Sequence, residues 1–229
     1  MMLDEVRMRI NIIRHSTTKR NEEGLATGPG LDVPLSPRGI KIIKDLKAQG
    51  IYPEEPGALY GSALSRTVET LNIIYPGREV TQRACLNERN HGILEFMEKE
   101  EYHKWLYEEG GYEGMSDKDL DWAPPGGEST RQVMERAKRC FPKLVDEFIE
   151  KGYDLVTICT HGAFIRDMFC AYNVPVLGEI RADAFLDNGK GVTLEVEKDG
   201  DDIRMEVVGA IGGDTVKDVL IDYMSRYKE

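Results

Sequence analysis

Two histidines stand at the ends of two apolar runs, RINIIRHS (Arg9 to Ser16) and LVTICTHG (Leu155 to Gly162). Each run is short and rich in Ile and Val, which predicts a buried strand ending in a polar residue. Ligands of open parallel sheets bind at the carboxyl ends of the strands. If the two strands are neighbours, His15 and His161 share one sheet edge with Arg14. Two imidazoles and a guanidinium there can attack and hold a phosphoryl group. Neutral imidazole has a lone pair near physiological pH, so His15 is a candidate nucleophile. Alternation along an extended chain aims Arg14 and His15 apart, so both serve one site only if the strand turns at Ser16.

Phosphoryl transfer also needs cations on the equatorial oxygens and a proton for the leaving oxygen. Arg66, in YGSALSRTVETL, falls in the first turns of a predicted helix, where helix N-terminus and guanidinium both favour an anion. Its bland alternative is a surface pair with Glu69. For His161 the alternative is a cap on the following helix. Glu88, in CLNERNHGILE, is a candidate acid or else a solvated loop carboxylate. PPGGES (Pro124 to Ser129) reads as a turn and N-cap, and His91 and His103 as surface residues with no metal-ligand spacing around them.

The formal net charge of -11 excludes broad attraction to nucleic acid or anionic membrane, so an anionic substrate needs a local cationic pocket. A chain of 229 residues with 41% hydrophobic content supports one sizeable α/β domain over 1–229 without a linker. The first residues carry no long apolar segment and no run is long enough to span a bilayer, so a cytoplasmic protein is expected. Cys85, Cys140, Cys159 and Cys170 lack C-x-x-C spacing and are expected as packed thiols.

The elements that must position these residues follow from local signals. Asn21 to Pro34 is a loop, and Ser36-Pro37 opens a helix that Gly50 ends. A short strand is predicted at Ala58 to Tyr60, a helix at Ala63 to Tyr75, and a further strand before Glu88. The charged, aromatic stretch 97–128 reads as an insertion covering the site, with Tyr102, Trp105, Tyr107 and Tyr112 mostly packed inward. From Ser129 a helix runs toward Lys151 with Val133, Ala137, Phe141, Leu144 and Phe148 on one face, kinked at Pro142. A helix follows from Ala163 to Tyr172. Val192 to Glu197 and Ile203 to Val208 form a hairpin, and a C-terminal helix closes the chain. The pattern predicts a three-layer α/β/α sandwich with a mostly parallel central sheet and an antiparallel edge.

The order of these motifs (Arg14-His15, Asn21, Thr27-Gly28, SALSRTVET, LNER, PPGGES, THGAFIR) resembles the histidine phosphatase superfamily, in its phosphoglycerate mutase-like branch. The likeness spans about Ile10 to Arg166, with a weaker echo at DNGKGVTLEV (Asp187 to Val196). It implies a phosphohistidine on His15, with Arg14, Arg66 and His161 holding the phosphoryl oxygens. Glu88 would be acid toward the leaving group and then base toward water. Asn21, Thr27 and Gly28 match positions that touch phosphate or substrate, Arg89 one that binds a substrate carboxylate, and Glu128 a supporting one. No metal or organic cofactor is implied, and the partner is a small-molecule phosphomonoester.

The chain departs from the family at Ser16 and Thr17, where Gly and an acidic residue or Gln are usual. A Cβ at position 16 is expected to crowd the turn, or its hydroxyl to reach the phosphate. A short segment between Glu88 and His161, without the paired arginines of the mutases, favours hydrolysis over mutase activity because fewer elements exclude water. A non-catalytic phosphate-binding protein on the same fold is the reading from another class.

Overall fold

A computed structural model describes residues 6–108, 119–174, 184–200 and 202–222. In chain order the elements are β1 (Val6–Arg14), α1 (Lys19–Glu22), α2 (Pro37–Ala48), β2 (Ala58–Gly61), α3 (Ser65–Ile74) and β3 (Val80–Gln82). Two 3-10 turns, Ala84–Leu86 and Gly92–Phe96, lead into α4 (Lys99–Glu108) and the long α5 (Thr130–Glu150). Then come β4 (Leu155–Thr160), α6 (Gly162–Ala171), β5 (Ala184–Leu186), β6 (Gly191–Asp199), β7 (Asp202–Ile211), α7 (Val216–Val219) and β8 (Leu220–Asp222).

The main sheet has six strands in the order β3-β2-β4-β1-β6-β7. β3, β2, β4 and β1 run parallel, and β6 and β7 add the antiparallel edge. The three-layer sandwich predicted from the alternating elements is therefore the observed fold. β1 lies at its centre, which is why its burial changes from alternating at the start to continuous at the end. Ile10 and Ile12 face the cluster of Phe141, Phe148, Val156 and Phe164 from α5, β4 and α6. Ile13 faces the opposite cluster of Ile43, Leu59, Leu71 and Cys159. Each such buried aliphatic side chain contributes about 1.5–3 kcal/mol of transfer free energy.

The register does the positioning. Arg14 of β1 pairs with Thr160 of β4, so the two chains leave the sheet side by side. The His15 backbone N–H still donates to the Thr160 carbonyl at 2.9 Å, one step beyond the strand. Helix starts are encoded locally: Ser36 caps α2 with Pro37 at its first turn, and Ser129 with Gln132 forms a capping box on α5.

Several expectations need correction. Cys85 and Cys140 are not packed thiols but form a disulfide joining the first 3-10 turn to α5, while Cys159 is a buried cysteine and Cys170 an exposed one, both outside that disulfide. Of the expected C-terminal helix, the described residues hold the four-residue α7, followed by β8, which pairs with β5 in a small second sheet. Residues beyond 222 lie outside the described part. α5 runs unbroken through Pro142. Within 97–128, α4 places Tyr102, fully buried, against Leu25, Ala26 and Leu94, with Trp105 packed beside it. The side chains of Tyr107 and Tyr112 lie outside the described residues.

Candidate active site

His15 and His161 meet edge to face, with ring centroids 4.9 Å apart. Both are buried, and their protonation follows from what surrounds each ring. Burial, then the Arg66 and Arg14 charges, hold His15 well below the usual imidazole range. Burial and Arg66 do the same for His161. Both rings are therefore neutral at pH 7.

A neutral ring has one N–H, and its position decides what the other nitrogen can do. His15 Nδ1 lies 2.6 Å from the Ser16 carbonyl oxygen, which can only accept, so Nδ1 carries the hydrogen. Its Nε2 consequently holds the lone pair. At His161, Arg66 Nε donates to Nδ1 at 3.3 Å, and a guanidinium can only donate, so Nδ1 is the bare nitrogen. Nε2 then donates to Ser62 Oγ at 2.8 Å.

Arg66 is fully buried on α3 and does not pair with Glu69, whose carboxylate instead accepts the Leu35 N–H. Arg66 Nη2 donates to the Thr27 carbonyl at 3.1 Å. Nη1 makes no hydrogen bond, and the carboxylate of Asp32, 3.9 Å away, is beyond hydrogen-bond reach. Asp32 is within ion-pair distance, but a buried guanidinium nitrogen without a hydrogen bond can still take an anion. Arg14 Nη1 donates to the Leu186 carbonyl at 2.7 Å, and its guanidinium lies so close to α6 that a Cβ on Gly162 would sit 3.1 Å from Cζ. β1 ends at Arg14, and the Arg14 charge acts on the His15 ring, so the two side chains serve one place despite alternation.

Glu88 is buried rather than solvated. Its Oε1 accepts from the backbone N–H groups of Arg89 at 2.8 Å and Phe164 at 3.0 Å, and Oε2 accepts from Ala163 at 3.3 Å. It thus supplies the cap for α6 that His161, at the N-cap position, does not make with its side chain. A carboxyl group is fixed beside the histidine pair by the first turn of the helix that His161 begins.

The remaining candidates sit around this centre in different capacities. Thr27 contributes its carbonyl to Arg66, and Gly28 lies where a Cβ would be 2.6 Å from the Arg89 carbonyl oxygen. Asn21 is occupied in a capping box with Thr18 on α1. Arg89 uses Nε on the Glu128 carbonyl, Nη1 on Thr130 Oγ1 and Nη2 on the Trp122 carbonyl. Glu128 pairs with Arg136 at 2.9 Å and accepts the Asn90 N–H, a bracing contact. Ser16 does not face a phosphate: its hydroxyl donates to the Gly39 carbonyl at 2.8 Å, and its backbone φ is not positive, so the turn needs no glycine.

His91 and His103 are half-buried rather than surface residues. Burial and the charges of Arg89, Arg166 and Arg66 push His91 down to about 3, which places it near the site as a neutral ring. The sequence reading missed Ser62, although its position one residue past β2 at the same sheet edge was the available signal. It also missed Asn188, whose side-chain N–H donates to the His15 carbonyl at 2.9 Å from the segment that only echoed the family. Among the described residues no helix is long and apolar enough to cross a membrane, and no group of three metal-ligating side chains converges.

Comparison with known proteins adds independent findings. Residues 10–207 match the model of the histidine phosphatase superfamily (branch 1). A 2,3-bisphosphoglycerate-dependent phosphoglycerate mutase of Parvibaculum lavamentivorans is 28% identical over 86% of this chain and 94% of its own. In fold, the chain is similar to the crystal structure of a phosphoglycerate mutase from Bacillus anthracis, with a TM-score of 0.71 at 22% identity over 99% of both chains. A mycobacterial glucosyl-3-phosphoglycerate phosphatase has a TM-score of 0.70 at 22% identity, covering 91% of this chain and 100% of its own.

Proposed function

Because the chain belongs to branch 1 of the histidine phosphatase superfamily, we propose that it is a phosphomonoesterase acting on a small phosphorylated metabolite through a phosphohistidine on His15. The observation that carries this reading is the 2.6 Å contact of His15 Nδ1 with the Ser16 carbonyl oxygen, from which its tautomer follows. With Nδ1–H held on the Ser16 carbonyl, the Nε2 lone pair is available to a phosphorus atom, beside an Arg66 nitrogen that makes no hydrogen bond.

In the first step His15 Nε2 forms a bond to phosphorus while the bond to the leaving oxygen breaks. Arg66 and Arg14 stabilise charge on the equatorial oxygens. The Nδ1–H bond to Ser16 disperses the positive charge that grows on the ring. Glu88 donates a proton to the leaving oxygen. In the second step water attacks phosphorus, Glu88 takes its proton, the nitrogen–phosphorus bond breaks, and inorganic phosphate leaves with His15 restored. The packing of α4 through Tyr102 on Leu25 and Ala26, in the loop that carries Thr27, supports a role for 97–128 at the substrate end of the site.

The second reading, a cofactor-dependent phosphoglycerate mutase, is favoured by the identity of the similar mutase sequence. Arg89 weighs against it. The side chain that would receive a substrate carboxylate has Nε, Nη1 and Nη2 each on an internal acceptor. Release of free phosphate from a panel of phosphomonoesters that includes 3-phosphoglycerate tests the proposal. Release by the wild type that vanishes in His15→Ala supports it. Isomerised phosphoglycerate without release selects the mutase, and binding without either selects a phosphate-binding protein.

A further inference from the structure

Glu95, on the 3-10 turn Gly92–Phe96, is fully buried and takes no part in the chemistry above. A buried carboxylate is tolerated only where donors surround it. Its Oε1 accepts the His91 N–H at 2.8 Å and its Oε2 the Leu31 N–H at 3.0 Å, and the Gly30 N–H is a third donor. The loop backbone is pressed against it. A Cβ on Gly28 would lie 2.1 Å from Glu95 Oε1, and one on Gly30 would lie 3.0 Å from Oε2. The same loop presents the Thr27 carbonyl that receives Arg66 Nη2 at 3.1 Å. A continuous series of contacts therefore runs from Glu95 through residues 31–27 to the guanidinium beside His161.

A negative charge buried near a phosphate seat opposes an incoming anion. Its placement is intelligible if what it does for the loop outweighs that repulsion. We propose that Glu95 is a positioning residue for the phosphate site: it pins the Thr27–Leu31 loop so that the Thr27 carbonyl aims Arg66 at the phosphoryl oxygens. This rests on the reading of Arg66 as a phosphate ligand.

Charge and positioning make opposite predictions for inorganic phosphate binding, measured by calorimetry on the whole chain. If Glu95 acts only through its charge, Glu95→Gln tightens phosphate. As a positioning residue, its loss puts an amide N–H2 against backbone N–H donors, frees the loop, and weakens phosphate about tenfold. Glu95→Asp keeps the charge but shortens the reach; weakening is again expected, and it serves as the reading variant should Glu95→Gln not fold. Glu69→Gln, which loosens the loop at Leu35 and not at 27–31, is expected to leave phosphate affinity unchanged. Unchanged or tighter binding in folded Glu95→Gln or Glu95→Asp overturns the proposal. Equal weakening by Glu69→Gln also overturns it, by showing general loosening. A wild-type chain that binds no phosphate removes the Arg66 reading itself, which distinguishes that failure from one of Glu95 alone.

Discussion

The ends of β1 and β4 present the same residue at matched register and assign it opposite hydrogen-bond polarity. At β1 a carbonyl oxygen takes the Nδ1–H of His15 and leaves Nε2 bare. At β4 a guanidinium occupies Nδ1 of His161, and Nε2–H is directed to Ser62 Oγ. Burial and arginines make both rings neutral, so charge does not separate them. If His15 is the nucleophile and His161 a holding group, as proposed, what separates them is the chemistry of the atom behind each ring.

Substituting the two histidines tests this difference most severely. His15→Ala is expected to eliminate the covalent intermediate, whereas His161→Ala still forms it, about 10²-fold more slowly, because only a stabilising contact is lost. Rapid-quench phosphorylation with an aryl phosphate reads both. Equal loss in the two variants would erase the distinction. Glu88→Gln should slow alkyl phosphates on the order of 10²-fold while sparing aryl phosphates, whose leaving oxygen needs little protonation. Uniform slowing across leaving groups would show that Glu88 matters as the cap of α6 and not as an acid.

A smaller effect concerns the atom behind His161. Ser62→Ala removes the acceptor for Nε2–H, and a fall of about tenfold in kcat/KM is expected from the loss of one buried hydrogen bond. No change would mean that the orientation of His161 is set by Arg66 alone. The smallest effect is on stability. In the unfolded chain His15 takes up a proton as pH falls below about 6.5, whereas the native ring stays neutral, so the unfolded state binds more protons and stability decreases as the pH is lowered. This term is about 1.4 kcal/mol per pH unit for one such histidine. Urea midpoints between pH 6 and 5 should therefore fall less steeply in His15→Gln than in the wild type. Parallel slopes would place a proton on native His15.

How much of this was legible beforehand depends on how local each signal is. The Ile- and Val-rich runs ending in His15 and His161, the Ser36 and Ser129 caps and the β6–β7 hairpin are written in neighbouring residues, and the observed elements follow them within a few positions. The chemistry at Arg66 and Glu88 was readable only through motif order, since alone each resembled a surface residue. Three features had no local trace. The Cys85–Cys140 pair joins a turn to a helix 55 residues away. Glu95 sits in a short turn whose partners come from the loop at 28–31, and its burial exists only once that loop is folded over it. The polarity of the two histidines depends on Ser16, Arg66 and Ser62, which meet only at the sheet edge.

Trapping the protein with an aryl phosphate in acid-free quench and mapping the phosphate by mass spectrometry decides whether His15 is the nucleophile. A single phosphohistidine, on His15 and bonded through Nε2, is expected. Phosphate on His161, or turnover with no phosphohistidine at all, would contradict it.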